Sequence, residues 1–244
     1  MKSRKRIFFL HGFLGLPSDW DEIIKDLNLD HIQTELIRVD LLNDAQICPE
    51  ITLEQFGKRF LERFQISEKD ENYLVGYSMG GRLSLHVVQE NPKLWSGALF
   101  VSTGTGLKTQ AEKKDRVPAD QKWAKRFLEE EFQSVLRDWN QQPIFLHGYE
   151  PAREEKNYDH GMLAQALTNW SLANQKDFTQ IVGAWPMKQI WICGEGDPKY
   201  QKIYSALPKS DQIQIQIVKN ASHRLLFDQP KCVSDLIQNE LIQK

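Results

Sequence analysis

One hexapeptide constrains the fold of this 244-residue chain more than any other feature: Gly76-Tyr77-Ser78-Met79-Gly80-Gly81. It satisfies the pattern G-x-S-x-G, follows the short apolar run Tyr73-Leu74-Val75, and precedes Leu83, Leu85, Val87 and Val88 of a helical stretch. A strand that turns sharply into a helix forces the serine into strained backbone angles. Glycines two residues to either side avoid the clashes that result. Ser78 then stands at a helix N-terminus, where unpaired amides and the helix dipole favour developing negative charge. The competing reading of the same residues is a glycine-rich turn with a helix-capping serine.

The strand-then-helix alternation extends along the chain. Short apolar runs at residues 7–10, 36–39, 73–75, 98–101, 190–193 and 213–218 are rich in β-branched and aromatic residues. Each is bounded by turn residues, the signature of buried parallel strands. Between them Ser18 is a candidate cap for a helix carrying Trp20, Ile23, Ile24 and Leu27. Thr52, with Glu54 and Gln55, opens a second helix with Phe56, Phe60 and Phe64 at four-residue spacing. Residues 230–241 close the chain with Val233, Leu236, Ile237 and Leu241 on one stripe. This order predicts an α/β fold with a mainly parallel central sheet and helices on both faces. Residues 106–185 break the alternation: they are charge-rich, helical at 121–132, 135–139 and 161–172, and carry no strand run. They show no repeat period, so a tetratricopeptide-like array is disfavoured. The expected organisation is a core of 1–105 and 186–244, with 106–185 inserted between sheet strands as a helical cap.

Composition narrows the function. Hydrophobic residues at 41% and charged residues at 26% suit a soluble globular protein and argue against global disorder. A formal net charge of −2 offers no basic field for nucleic acid and no cationic face for a membrane. No stretch approaches the roughly 20 apolar residues of a membrane span. The basic leader Lys2-Ser3-Arg4-Lys5-Arg6 and the run after it resemble a secretory signal only until His11-Gly12 cuts the run, so a cytoplasmic location is expected. Cys48, Cys193 and Cys232 are odd in number and widely spaced, which disfavours a disulfide framework, and Cys193 reads as a buried small hydrophobe. No H-E-x-x-H, paired Cys/His spacing or EF-hand loop marks a metal site. Gly104-Thr105-Gly106 lacks the third glycine of a dinucleotide loop.

A reactive serine needs a base and a carboxylate to orient it, in the chain order Ser, then Asp or Glu, then His. His223 follows the predicted strand 213–218, and Asp197 follows the strand 190–193, both at the carboxyl edge where open α/β sheets place their sites. In this reading neutral His223 takes the Ser78 proton while Asp197 fixes its tautomer. Glu195, in the same loop, competes with Asp197. His11 suits a turn, His86 falls mid-helix, and His31, His147 and His160 lie away from strand ends. The backbone N–H groups of Met79 and Phe13 are the expected oxyanion-hole donors.

Together these parts resemble the α/β-hydrolase family over essentially the whole chain. The likeness is closer to one branch, the menaquinone-pathway synthases of 2-succinyl-6-hydroxy-2,4-cyclohexadiene-1-carboxylate (MenH). The residues behind this are His11-Gly12-Phe13-Leu14-Gly15 with Trp20, and the elbow extended to Arg82. Trp139-Asn140-Gln141-Gln142-Pro143-Ile144-Phe145 is similar to that branch's W-x-x-Q-P-x-F. Gly194-Glu195-Gly196-Asp197-Pro198-Lys199-Tyr200 is similar to G-E-x-D-x-K-F, and Asn220-Ala221-Ser222-His223 to N-A-G-H. The resemblance implies a cofactor-free lyase acting on a small carboxylate-bearing substrate. Ser78 and His223 would remove a ring proton from a succinyl-enolpyruvyl-cyclohexene-carboxylate as pyruvate leaves. It also implies Tyr77, Arg82, Arg116, Trp139 and Gln142 as substrate-binding residues. Arg82, four residues after Ser78, is placed to clamp a carboxylate; a helix-surface salt bridge is its plainer role. For Trp139 the plainer role is cap packing. Two departures stand out: the turn after the second strand reads Asp40-Leu41-Leu42-Asn43-Asp44-Ala45, without the branch's glycine and histidine. The nearest candidate for a third cap arginine is Arg153, displaced among acidic residues. The alternatives are a carboxylesterase or thioesterase working through a Ser78 acyl-enzyme, and a non-catalytic binding protein on the same scaffold.

Overall fold

A computed structural model describes residues 3–30, 32–146 and 148–242; Lys2, His31 and His147 lie outside the described residues. All six apolar runs form strands: β1 (Lys5–Leu10), β2 (Thr34–Val39), β3 (Glu71–Tyr77), β4 (Trp95–Val101), β5 (Lys188–Gly194) and β6 (Ile213–Val218). Among the described residues they make one sheet in the order β2-β1-β3-β4-β5-β6, with every neighbouring pair parallel. Parallel neighbours need crossover connections, which here carry helices. These are α1 (Asp21–Lys25), α2 (Leu53–Phe64), α3 (Met79–Glu90), α4 (Gln110–Glu129), α5 (Phe132–Asn140), α6 (His160–Asn169) and α7 (Pro198–Ser205), and α8 (Leu225–Asp228) and α9 (Pro230–Leu236) follow β6.

The two-residue period of the strands divides the core. Phe8, Leu10 and Leu74 face a cluster that includes Phe56 and Phe60 of α2 and Leu83 of α3. Ile7, Phe9 and Val75 face the opposite cluster, with Trp20, Ile23 of α1 and Val233 of α9. Helices therefore cover both faces. The expectation of fully buried strands fails at β6, where Ile215 and Ile217 are 43% and 40% exposed, because this edge strand has a single neighbour.

Helix starts differ from the sequence reading in two places. Ser18 does not cap a helix but lies inside a 3-10 turn, Pro17–Trp20, whose entry is fixed by the Leu16 amide donating to Asp19 at 3.1 Å. The helix expected from residue 121 begins at Gln110. Its start is held by a capping box, with the Glu112 amide donating to Thr109 Oγ1 and the Thr109 amide to Glu112 Oε2. Thr52 stands at the start of α2 as expected, where its amide donates to Gln55 Oε1 at 2.9 Å. Between β4 and β5, α4 packs on α6, and Phe127, Phe132, Leu163 and Trp170 join the apolar cluster on the α2–α3 face of the sheet. Among the described residues no strand lies in this interval, and no helix is long and apolar enough to cross a membrane.

Candidate active site

The elbow is steric in origin. Ser78 has φ 50° and ψ −108°, strained for a residue with a side chain. The flanking glycines are needed for close approach. A Cβ on Gly76 would lie 2.6 Å from Gly81 Cα, and one on Gly80 would lie 2.3 Å from the Leu10 carbonyl oxygen. Ser78 heads α3 without donating to or accepting from that helix through its side chain, so it does not act as a cap. Its Oγ instead lies 3.0 Å from His223 Nε2.

Two loops at the carboxyl edge bring the partners together. The Gly196 amide donates to the Ala221 carbonyl at 2.8 Å, and a Cβ on Gly194 would lie 2.1 Å from that same oxygen. The turn after β5 is thus pressed onto the loop after β6. Buried Asp197 Oδ2 then lies 2.8 Å from His223 Nδ1, whereas Glu195 is exposed. A carboxylate can only accept, so Nδ1 carries the imidazole proton and Nε2 accepts from the Ser78 hydroxyl. Of the two carboxylates left open by the sequence, Asp197 is the one in contact. His11 is buried in its turn, donating from Nδ1 to the Gly12 carbonyl and accepting from the Leu41 amide at Nε2. Burial lowers its pKa and keeps it neutral.

Ser78 and His223 open on a cavity of about 520 Å³, within the range of small-molecule sites. All the sequence-nominated residues line it: Phe13, Tyr77, Met79, Arg82, Arg116, Trp139 and Gln142. Met79 contributes one of the first amides of α3, which have no intrahelical acceptor. The loop carrying Phe13 is held close, since a Cβ on Gly12 would sit 2.9 Å from the Tyr77 ring and 3.6 Å from Ser78 Cβ. Trp139 packs against Phe13 at 4.7 Å between centroids and edge-on to Trp123 at 5.0 Å, so it does pack the helical segment as well as line the cavity. Gln142 donates to the Trp139 carbonyl at 3.1 Å.

The charges in the cavity are unequal in their commitments. Arg82 forms no ion pair among the described residues. Its guanidinium donates to Gln175 Oε1 at 3.1 Å and to the Trp170 carbonyl at 3.0 Å, both neutral acceptors. Burial, and then the neighbouring Arg116, bring its pKa down to about 10, which leaves it charged at neutral pH. Arg116 donates from Nε and Nη2 to a single oxygen of Asp120, at 2.8 and 2.7 Å, and the other oxygen of Asp120 accepts from Ser171 at 2.6 Å. Lys199, exposed at the rim, has its pKa lowered by desolvation and then by Arg116. The cavity thus holds three cations, while both of its carboxylates are already engaged, Asp120 by Arg116 and Asp197 by His223.

Sequence reasoning missed Lys199 and Asp120 as parts of this site. Lys199 stood in plain view two residues after Asp197, and Asp120 four residues after Arg116 is a helical ion-pair spacing. Arg153 does not enter the cavity: its guanidinium grips Asp19 through two bonds of 2.7 and 2.8 Å, with both side chains buried.

A parallel sheet with a serine elbow on β3, a carboxylate after β5 and a histidine after β6 defines a class, and the sequence comparison agrees. Residues 5–230 match the family model for the alpha/beta hydrolase fold, and the chain belongs to that family. Within it the chain resembles the MenH branch. A Haemophilus influenzae protein, provisionally named a 2-succinyl-6-hydroxy-2,4-cyclohexadiene-1-carboxylate synthase, is 31% identical, the match covering 97% of both chains. The synthase of that name from Photorhabdus laumondii is 28% identical over 90% of this chain and 79% of its own. Among solved structures, MenH from S. aureus superposes with a TM-score of 0.79 at 19% identity, covering 97% of this chain and 93% of that one. A malate-bound esterase from Thermogutta terrifontis reaches 0.69 at 16% identity, covering 97% and 89%. These two structures speak for the fold alone.

Proposed function

We propose that this chain is a MenH-type lyase that eliminates pyruvate from a succinyl-enolpyruvyl-cyclohexene-carboxylate. In this reading Ser78, His223 and Asp197 are the catalytic residues. Ser78 and His223 together abstract a ring proton next to the succinyl carbonyl, the proton passing through Ser78 Oγ to His223 Nε2. The electron pair forms a ring double bond, the bond to the enolpyruvyl oxygen breaks, and pyruvate leaves as its enolate, which takes up a proton. Negative charge developing on the succinyl carbonyl oxygen is met by the amides of Phe13 and Met79. Asp197 holds the imidazole in the receiving tautomer and stabilises the imidazolium. Arg82, Arg116 and Lys199 receive the substrate carboxylates, Tyr77, Trp139 and Gln142 shape the pocket, and residues 106–185 act as its cap.

The observation that carries this reading is the state of Arg82. A half-buried guanidinium one helical turn from the reactive serine, satisfied only by neutral acceptors, is a charge waiting for an anionic ligand. An enzyme for neutral esters has no use for it. The test is release of pyruvate on mixing the protein with the enolpyruvyl substrate, followed beside hydrolysis of a short p-nitrophenyl ester. Pyruvate formation with slow ester turnover supports the lyase. Brisk ester turnover with an acyl burst and no pyruvate assigns the serine to acyl transfer instead.

A further inference from the structure

The residues that follow His223 do more than close the chain over the sheet. Buried Arg224 forms no ion pair among the described residues. Its guanidinium reaches across to the end of α5 and the stretch beyond it, donating to the Asn140 side-chain oxygen and to the Tyr149 carbonyl at 3.2 Å, while it lies 4.6 Å over the Phe145 ring. Asn140 is in turn oriented by donating to Glu150 at 2.7 Å. Phe145 lines the cavity and stands edge-on to His223, centroids 5.8 Å apart.

Asp228 makes the second bridge. One of its oxygens accepts from the Ser222 amide at 2.8 Å and the Ser222 hydroxyl at 2.6 Å, and the other from the Tyr149 amide at 2.8 Å. The Ser222 hydroxyl also accepts from the Arg224 amide at 3.0 Å. The Ser222 hydroxyl thus ties the Arg224 backbone to Asp228. These contacts depend on a matching gap opposite, since a Cβ on Gly148 would lie 2.2 Å from Ser222 Oγ.

We infer that Ser222, Arg224 and Asp228 form a clasp that holds Asn140, Phe145 and Tyr149 against the His223 loop, making Arg224 and Asp228 positioning residues for the Ser78–His223 pair. His223 touches its reaction partners through both ring nitrogens, and the clasp fixes the backbone on either side of it and the aromatic wall beside it. A ring held this way is kept within reach of Ser78 Oγ, and small displacements of such a group cost large factors in rate. The clasp rests on the proposed reading of Ser78 as the reactive alcohol, but not on the identity of the substrate.

The test therefore uses a neutral fluorophosphonate, which Ser78 attacks to form a phosphorus–oxygen bond as fluoride leaves and His223 takes the hydroxyl proton. Labelling rates are measured against pH for the wild type, Asp228→Asn, Arg224→Met and Ser222→Gly, with thermal melting in parallel. Asp228→Asn and Arg224→Met are expected to label about 10- to 100-fold more slowly, with a displaced midpoint pH, while their melting temperatures stay well above the temperature of the assay. Ser222→Gly keeps its amide bond to Asp228 and is expected to fall between these and the wild type. Should either of the first two fail to fold, the Ser222→Gly comparison decides alone. Rates and midpoints within twofold of the wild type in every folded variant would overturn the clasp while leaving the reactive serine intact. A wild type that does not label at all would overturn the reading of Ser78, and the clasp with it.

Discussion

Replacing Arg82 with alanine isolates the part of the site that distinguishes a carboxylate-handling enzyme from a general esterase. The guanidinium sits one turn along α3 from Ser78, and its present partners are a side-chain amide and a backbone carbonyl. A substrate carboxylate taking two parallel hydrogen bonds from it gains about 1.5–3 kcal/mol for each, since the donor is charged. Allowing for the desolvation of the incoming anion, a net loss of about 3–4 kcal/mol is expected on truncation, or roughly 10²- to 10³-fold in kcat/KM. The structural loss is two hydrogen bonds from the same charged group, about 1.5–3 kcal/mol each, offset by removal of a desolvated charge with no anionic partner, and Tm measured beside the assay shows that the variant folds. The assay compares pyruvate release from the enolpyruvyl substrate with labelling of Ser78 by a neutral fluorophosphonate, in wild type and Arg82→Ala. Pyruvate release should fall by the factor above, while labelling stays within a few-fold. Equal loss in both assays would mean that Arg82 supports the elbow rather than the substrate, and the argument from its unpaired charge would fail.

Other outcomes follow from the same geometry. Gly80→Ala drives a methyl group against the Leu10 and His11 carbonyl oxygens at 2.3 and 2.4 Å, and should cost at least about 1–3 kcal/mol, read as a fall of several degrees in Tm together with loss of Ser78 labelling. His86, half-buried against Phe178 with its Nε2 buried and unpartnered, has its pKa lowered from 6.5 to about 4, chiefly by desolvation and then by Arg82. The unfolded chain takes up the proton first, so its contribution is whole above pH 6.5 and is lost as the pH falls toward 4, by up to about 3 kcal/mol. Melting curves at pH 7 and pH 5 should therefore lie closer together for His86→Leu than for the wild type; an unchanged gap would show that this histidine does not set the acid limit. Asp197→Asn should leave Tm nearly unchanged and slow Ser78 labelling by at least about 10²-fold, because the amide no longer enforces the receiving tautomer of His223.

What could be read from the sequence was what the chain encodes locally. The strands and the elbow are continuous stretches whose pattern and glycines carry their own geometry, so both their position and their order were legible. His223 and Asp197 were legible because each follows a strand directly, although only the packing of Gly194 and Gly196 on Ala221 distinguishes Asp197 from Glu195. The first half of α4 was not recognised. Residues 110–120 contain few apolar side chains, include Pro118, and turn Arg116 and Asp120 toward the cavity, so no hydrophobic stripe betrays a helix. The Thr109–Glu112 capping box was the available signal. The partner of Arg153 is Asp19, 134 residues away, and the clasp joins residues 75 to 84 apart. Contacts of that kind are set by the fold as a whole, and no local pattern announces them.

If the proposed chemistry is right, Ser78 acts as a proton carrier to His223 in an elimination. The direct measurement mixes the enolpyruvyl substrate with wild type and with Ser78→Ala, and follows pyruvate and the absorbance of the conjugated diene together. The wild type should form the two in equal amounts with no acyl adduct on the intact protein, and the variant should be slower by at least about 10³-fold. Pyruvate and diene formed at undiminished rate by Ser78→Ala, or by neither protein, would contradict it.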